Sequence, residues 1–151
     1  MTAVPDAVRN AGTAQDALDA VVEAFGADTG TLHYLGADGH LHLAALHGQL
    51  PPPVLEQVRV IPLGKGMAGV CAQSNEPVNL CNLADDRSGT VRPGARTTGL
   101  AGSIVVPVRV AGRVAGTLGI ASRAERAFTD AEVQSLLDCA ATIALHAPAR
   151  S

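Results

Sequence analysis

Two stretches of this chain alternate apolar with polar or small residues, break at a glycine turn, and resume the alternation. Nothing else in the sequence restricts the fold as strongly. Thr29–Leu35 and His40–His47 flank Gly36-Ala37-Asp38-Gly39, and Ser103–Val110 and Val114–Ala121 flank Ala111-Gly112-Arg113. Successive side chains on a strand point to opposite faces, and short glycine turns between such runs close antiparallel hairpins. In the first hairpin His40 and His42 alternate with Leu41 and Leu43, so one face reads as wet and the other as buried. Val105, Val106 and Val108 suit a strand buried on at least one face.

Helices bracket the hairpins. Thr13-Ala14-Gln15-Asp16 has the form of a capping box, with Asp16 reaching back to Thr13. Ala14, Ala17, Leu18, Val21, Val22 and Phe25 follow at helical spacing, and Gly26 is a good stop. The spacing predicts a helix over 13–25. Near the other end, Thr129 and Glu132 form a second capping box, and Phe128 with Val133 forms a hydrophobic staple. Val133, Leu136, Leu137, Ala140 and Ala144 line one face of that helix. Between these come a helical turn at Val54–Gln57 behind three prolines, an extended piece at Arg59–Leu63, a short helix at 67–74 ending near Asn75, and a brief strand at Val78–Cys81. The expected class is α+β, with an antiparallel sheet and helices at both ends of the chain. Residues 13–147 make one domain, with a frayed lead-in at 1–12 and a tail at 148–151.

Composition closes off several functions. The 151 residues are 47% hydrophobic and 17% charged, enough for one real core, yet there is no Trp, one Tyr and two Phe. That excludes an aromatic cage and a stacking platform for single-stranded nucleic acid. A net charge of −3 argues against a nucleic-acid partner. No run approaches the 18 or so apolar residues of a membrane span, and the first residues lack the regions of a signal peptide. Three cysteines, an odd number, fit a reduced compartment. The expected location is the cytoplasm, away from membranes.

Ile61-Pro62-Leu63-Gly64-Lys65-Gly66-Met67-Ala68-Gly69-Val70 reads as a turn opening the short helix. Gly64 and Gly66 permit positive φ, and Gly69 allows another segment to approach. The first N–H groups of a helix lack internal partners and lie at its positive end, so a glycine-lined helix start is suited to a small anion. Residues 82–102 form a polar, glycine-containing loop long enough to be functional. Its Arg92 and Arg96 either supply a planar donor fork or neutralise Asp85 and Asp86. Lys65 either raises the potential at the pocket mouth or is a solvated turn residue.

The Ile61–Val70 segment, Pro77-Val78-Asn79, Ser103–Val110, Gly112–Gly119 and Phe128-Thr129-Asp130-Ala131-Glu132, in this order and spacing, resemble the GAF domain family. The resemblance implies a central antiparallel sheet with the N- and C-terminal helices on one face and a ligand pocket on the other. It implies a non-enzymatic sensor of a small regulatory molecule, or a dimerisation module. Gly64–Gly69, Asn82-Leu83 and the Arg92–Arg96 loop are most similar to small free-standing members of the bacterial nitrate-receptor kind. That likeness implies a small anion, nitrate or a small carboxylate, held by Gly66, Met67, Ala68 and Gly69, by Pro93, Ala95 and Arg96, and by Leu43 and Ala45. It implies no cofactor. It names a histidine kinase or other signalling protein as the partner, with a homodimer as a further expectation. Ala14, Ala17, Ala20, Ala24, Ala140, Ala141 and Ala144 keep the terminal helices smooth enough for such pairing or for packing on the sheet.

One GAF branch reduces free methionine-R-sulfoxide with cysteines, which needs a thiolate and a resolving thiol. In that branch the attacking cysteine sits in the long loop. Here 82–102 holds none, and Cys71, Cys81 and Cys139 read as small, mostly buried residues. The five histidines show no metal spacing, and His40, His42 and His47 read as solvated.

Overall fold

The two hairpins lie side by side in one six-stranded antiparallel sheet, in the computed structural model that describes residues 5–80 and 100–146. In chain order the elements are α1 (Asp6–Arg9), α2 (Ala14–Phe25), β1 (Thr29–Leu35), β2 (His40–His47), α3 (Pro52–Arg59), β3 (Val60–Pro62), α4 (Gly66–Ser74), β4 (Val78–Leu80), β5 (Gly102–Val110), β6 (Arg113–Ser122) and α5 (Asp130–Ile143). A 3₁₀ turn, Ala144–His146, follows α5. The strand order is β3-β2-β1-β6-β5-β4, so β1 and β6 are central and join the two hairpins.

Alternation assigns the two faces. Leu32 and Tyr34 of β1, Leu118 and Ile120 of β6, and Ile104, Val106 and Val108 of β5 meet Leu18, Val21 and Val22 of α2 and Leu136, Cys139, Ala140 and Ile143 of α5. Each fully buried Leu, Ile or Val contributes about 1.5–3 kcal/mol, so this face carries most of the stability. The helix α2 lies close because Gly30 has no side chain; a Cβ there would come 2.5 Å from Val22 Cγ2. On the opposite face α3 and α4 cover a smaller cluster of Leu41, Ile61 and Ala72, with Val58 and Ala68 against it.

Local signals were obeyed with instructive differences. Thr129 and Glu132 make the reciprocal capping box, both bonds 3.1 Å. Thr13 accepts from the Asp16 N–H at 3.1 Å, but among the described residues no bond returns from the Asp16 carboxylate, which is one methylene shorter than a glutamate. The sequence reading set residues 1–12 apart as a lead-in. Residues 6–9 instead form a helical turn whose Val8 is fully buried in the helix-side core. The proline-led turn is a full helix, α3, because proline is tolerated in a first turn.

The ladder between β1 and β2 slips once. Leu32 faces Ala45 while His33 faces Leu43, so Ala44 has no counterpart. Such a bulge reverses the alternation beyond it. Leu41 therefore belongs to the cluster under α3 and α4, whereas Ala45 belongs to the core under α2 and α5. Among the described residues no helix is long and apolar enough to cross a membrane.

Candidate functional site

The start of α4 is built by its glycines. Gly64 and Gly66 adopt φ of +83° and +65°, which only glycine takes without strain. The turn is closed by Gly64 N–H donating to Gly69 C=O at 2.9 Å and Lys65 N–H donating to Pro62 C=O at 3.2 Å. Gly69 N–H is taken by Lys65 C=O at 3.1 Å. The three amides between, of Gly66, Met67 and Ala68, have no acceptor among the described residues. They are the orphan donors of a helix start, with the positive end of the helix dipole behind them.

Those three residues border a cavity of about 160 Å³ between α3, α4 and the sheet. Thr29, Thr31 and His33 of β1, Gly119 of β6, and Ser103 and Val105 of β5 form its floor. Val54, Gln57 and Val58 of α3 and Ile61 of β3 form a wall. Gly119 keeps the floor low: a Cβ there would press to 3.3 Å from both Thr31 Oγ1 and Val105 Cγ2. Lys65 is the one charged side chain among the described lining residues.

His33 is the polar group of consequence. Its side chain is 1% exposed, and Nε2 lies 2.7 Å from Val58 C=O. A carbonyl only accepts, so Nε2 carries the proton and ties α3 to the sheet. Burial pushes the imidazole below its ordinary pKa, outweighing the Val58 bond that would raise it, and His42 lowers it further. The ring is therefore neutral near pH 7. Its Nδ1 lone pair is buried without a partner among the described residues. The hydroxyl of Thr117, the cross-strand neighbour of His33, is buried and unpartnered likewise.

The residues expected from sequence divide three ways. Gly66, Met67 and Ala68 line the cavity. Gly69 sits behind it as a packing residue, since a Cβ there would meet Pro62 O at 2.5 Å. Leu43 stands across from His33 but outside the lining, and Ala45 is turned to the helix-side core by the bulge. Pro93, Ala95 and Arg96, with Arg92, Asp85, Asp86 and Cys81, lie outside the described residues. His42 is paired with Asp38 at 2.9 Å and His47 with Asp19 at 2.9 Å, both partly exposed. Sequence reasoning missed His33. Its signal was the polar alternation Thr29, Thr31, His33 along a strand that proved central, where a polar face meets a cavity instead of solvent.

The described thiols are poor nucleophiles. Cys71 and Cys139 are free and buried. Burial pushes the Cys71 thiol up to about 12 and the Cys139 thiol up to about 11, so neither is thiolate at neutral pH. They also lie on opposite faces, Cys139 in the core under α5 and Cys71 on α4.

A family model for the GAF domain matches residues 11–146. No curated protein sequence matches the chain significantly. Among solved structures, the GAF domain of an Acinetobacter phosphoenolpyruvate-protein phosphotransferase superposes with a TM-score of 0.73 at 24% identity, covering 91% of this chain and 83% of that one. The free methionine-R-sulfoxide reductase of Neisseria meningitidis, solved with its substrate, gives 0.75 at 20% identity, covering 93% and 81%. The type II free methionine-R-sulfoxide reductase of Thermoplasma acidophilum gives 0.72 at 24% identity, covering 88% of each chain. These likenesses establish a shared fold and include both enzymes and a domain of a larger protein. With a sheet whose one face holds the terminal helices and whose other face holds a cavity, and with the family pattern matched over residues 11–146, this chain belongs to the GAF domain family.

Proposed function

We propose that this GAF domain is a non-enzymatic sensor that binds a small anion at the start of α4 and reports its occupancy to a signalling partner. The observation that carries the reading is the set of three amides, of Gly66, Met67 and Ala68, that have no acceptor among the described residues and belong to residues lining a largely apolar cavity. Amides at a helix start neutralise an anion without a buried counter-charge, and in an apolar setting each such bond is strengthened. Nitrate is weakly hydrated for an anion and a small carboxylate carries a single charge, so an apolar wall costs either less than it costs doubly charged phosphate. The cavity, at about 160 Å³, is close to the size that admits a benzene molecule, roughly 150 Å³, and leaves room for carbon beyond a carboxylate. Ala24 and Ala141 face solvent on the terminal helices, which favours helix-to-helix docking with a histidine kinase or a second copy as the output.

Calorimetry with nitrate, nitrite, sulfate and acetate at millimolar concentration tests the site. Heat and a raised melting temperature are expected with nitrate or acetate and not with sulfate. Ala68→Trp fills the cavity and removes the heat. Its melting curve accompanies the titration, because overpacking costs about 1–3 kcal/mol. No heat and no thermal shift with any anion overturns the reading. The alternative, methionine-R-sulfoxide reduction, is favoured by the fold it shares with two reductases and opposed by the buried, protonated Cys71 and Cys139. Thioredoxin-coupled turnover of the free amino acid sulfoxide, lost in Cys81→Ser, would establish it.

A further inference from the structure

The cavity wall formed by α3 is shallowly rooted and fastened from below. Of the described residues of α3, Val54 alone is buried, and the core under the terminal helices takes none of them. The carbonyls of a last helical turn have no partner within the helix. For Val58 the residue four places on is Pro62, which has no N–H to give. His33 of the central strand β1 supplies the donor instead, Nε2–H to Val58 C=O at 2.7 Å. Beyond α3, β3 joins β2 through three residues, His40, Leu41 and His42. A glycine of positive φ lies on each side of the segment, Gly48 at +87° and Gly64 at +83°. Short, lightly buried units of this kind open ahead of the rest of a fold.

The fastening ring tolerates one proton. It is 1% exposed, and a proton on Nδ1 would be a buried donor and a buried charge with no partner among the described residues. The charged and titratable groups on the surrounding elements do not relieve it. His42 of β2 acts against that proton and is itself paired with Asp38 at 2.9 Å. Glu56 and Arg59 of α3 are exposed and paired with each other at 3.3 Å. Lys65, ahead of α4, is a cation, and β6 sets the uncharged Thr117 opposite. Lifting the last turn of α3 uncovers the ring, and water then carries the charge. We propose that α3 is a latched flap over the cavity: neutral His33 holds it shut, and a second proton on the ring releases it. The segment between Gly48 and Gly64 moves while the core under α2 and α5 stays folded. The flap stands or falls apart from the anion site, because it does not depend on what the cavity takes.

Hydrogen exchange of the full chain, read by mass spectrometry as protection factors so that intrinsic rates cancel, tests this at pH 7.5 and 5.5. The amides of α3 are expected to be less protected than those of α2 and α5 at both values, the mark of local opening. A released ring returns to its ordinary value of 6.5, so one pH unit below it the open fraction rises about tenfold. Protection of α3 should fall by that factor. His33→Gln keeps a neutral donor for Val58 and cannot take the proton, so its α3 protection should be equal at the two pH values. Should that variant not fold, intermediate pH values on the unaltered protein decide, since the response must level off above about pH 6.5. Protection of α3 equal to that of α2 and α5 overturns the flap, because α3 then opens only with the whole chain. Local opening that ignores pH overturns the latch. So does a pH response that survives in His33→Gln or that begins only in the carboxylate range.

Discussion

Gly69→Ala sets two well-calibrated effects against each other, and the structure says which wins. Gly69 is in the middle of α4, where alanine is the better helix former by about 1 kcal/mol. Propensity alone therefore expects a more stable protein. An alanine Cβ would lie 2.5 Å from Pro62 O, 3.1 Å from Gly64 N and 3.4 Å from Gly64 C. All three are backbone atoms of the turn that Gly64 N–H closes onto Gly69 C=O, so no side chain can swing aside. Overpacking costs about 1–3 kcal/mol, and a backbone contact this short belongs at or above the upper end. The net is a loss of about 2 kcal/mol. For a domain of this size each kcal/mol moves the midpoint by about 2–4 °C, so thermal unfolding followed by circular dichroism is expected to show a midpoint lower by about 4–8 °C. Gly12→Ala is the control: nothing lies within 4 Å of its Cβ, and it should gain up to about 1 kcal/mol. A Gly69→Ala midpoint equal to or above that of the unaltered protein would refute the claim that the α4 turn is held at contact distance by Gly69.

Two further outcomes follow from the titrating groups. In a Cys81→Ser background, Cys71 and Cys139 should not react with Ellman's reagent at pH 8 until denaturant is added, because burial holds both thiols protonated, at about 12 and about 11; rapid labelling of the native protein would contradict their burial. His33 has a folded pKa below its unfolded value of 6.5, so the unfolded chain takes up the proton first on acidification. Its contribution to stability is full above about pH 6.5 and is lost as pH falls from there toward the folded value. The lowered carboxyls Asp19, Asp38 and Glu132 act below their ordinary values of 3.8 to 4.5, so the decline between pH 6.5 and 4.5 is the histidine's. Urea unfolding across that interval should be flatter for His33→Gln, and an unchanged slope would count against a neutral buried ring.

The hairpins, both N-caps and the glycine turn were legible because each is written in a few adjacent residues whose chemistry leaves little choice. The unpaired amides at the start of α4 were legible for the same reason, since Gly64 and Gly66 mark a helix start. What the sequence withheld was everything decided between distant segments. Val8 looked like part of a frayed lead-in because its burial depends on α2 and α5 arriving on either side. His33 resembled His40 and His42 as an alternating polar residue. Only the strand order, which makes β1 central, distinguishes a histidine under α3 from one in solvent. Ala45 was expected beside Leu43 at the pocket, and the unpaired Ala44 between them turns it to the helix side instead.

That unpaired alanine acts on β2 as a frameshift acts on a message. Upstream of it, odd-numbered residues are spelled toward the cavity; downstream they are spelled toward the terminal helices, as Leu41 and Ala45 attest. One strand thereby serves two readers: its beginning contacts the cluster that Ala68, at the start of α4, packs against, and its end contacts α2 through the Asp19–His47 pair and the bond from Gln15 to Leu46 C=O. Removing Ala44 would restore the frame and transpose the last three residues of the strand, exchanging what the two faces receive without changing the identity of any other residue.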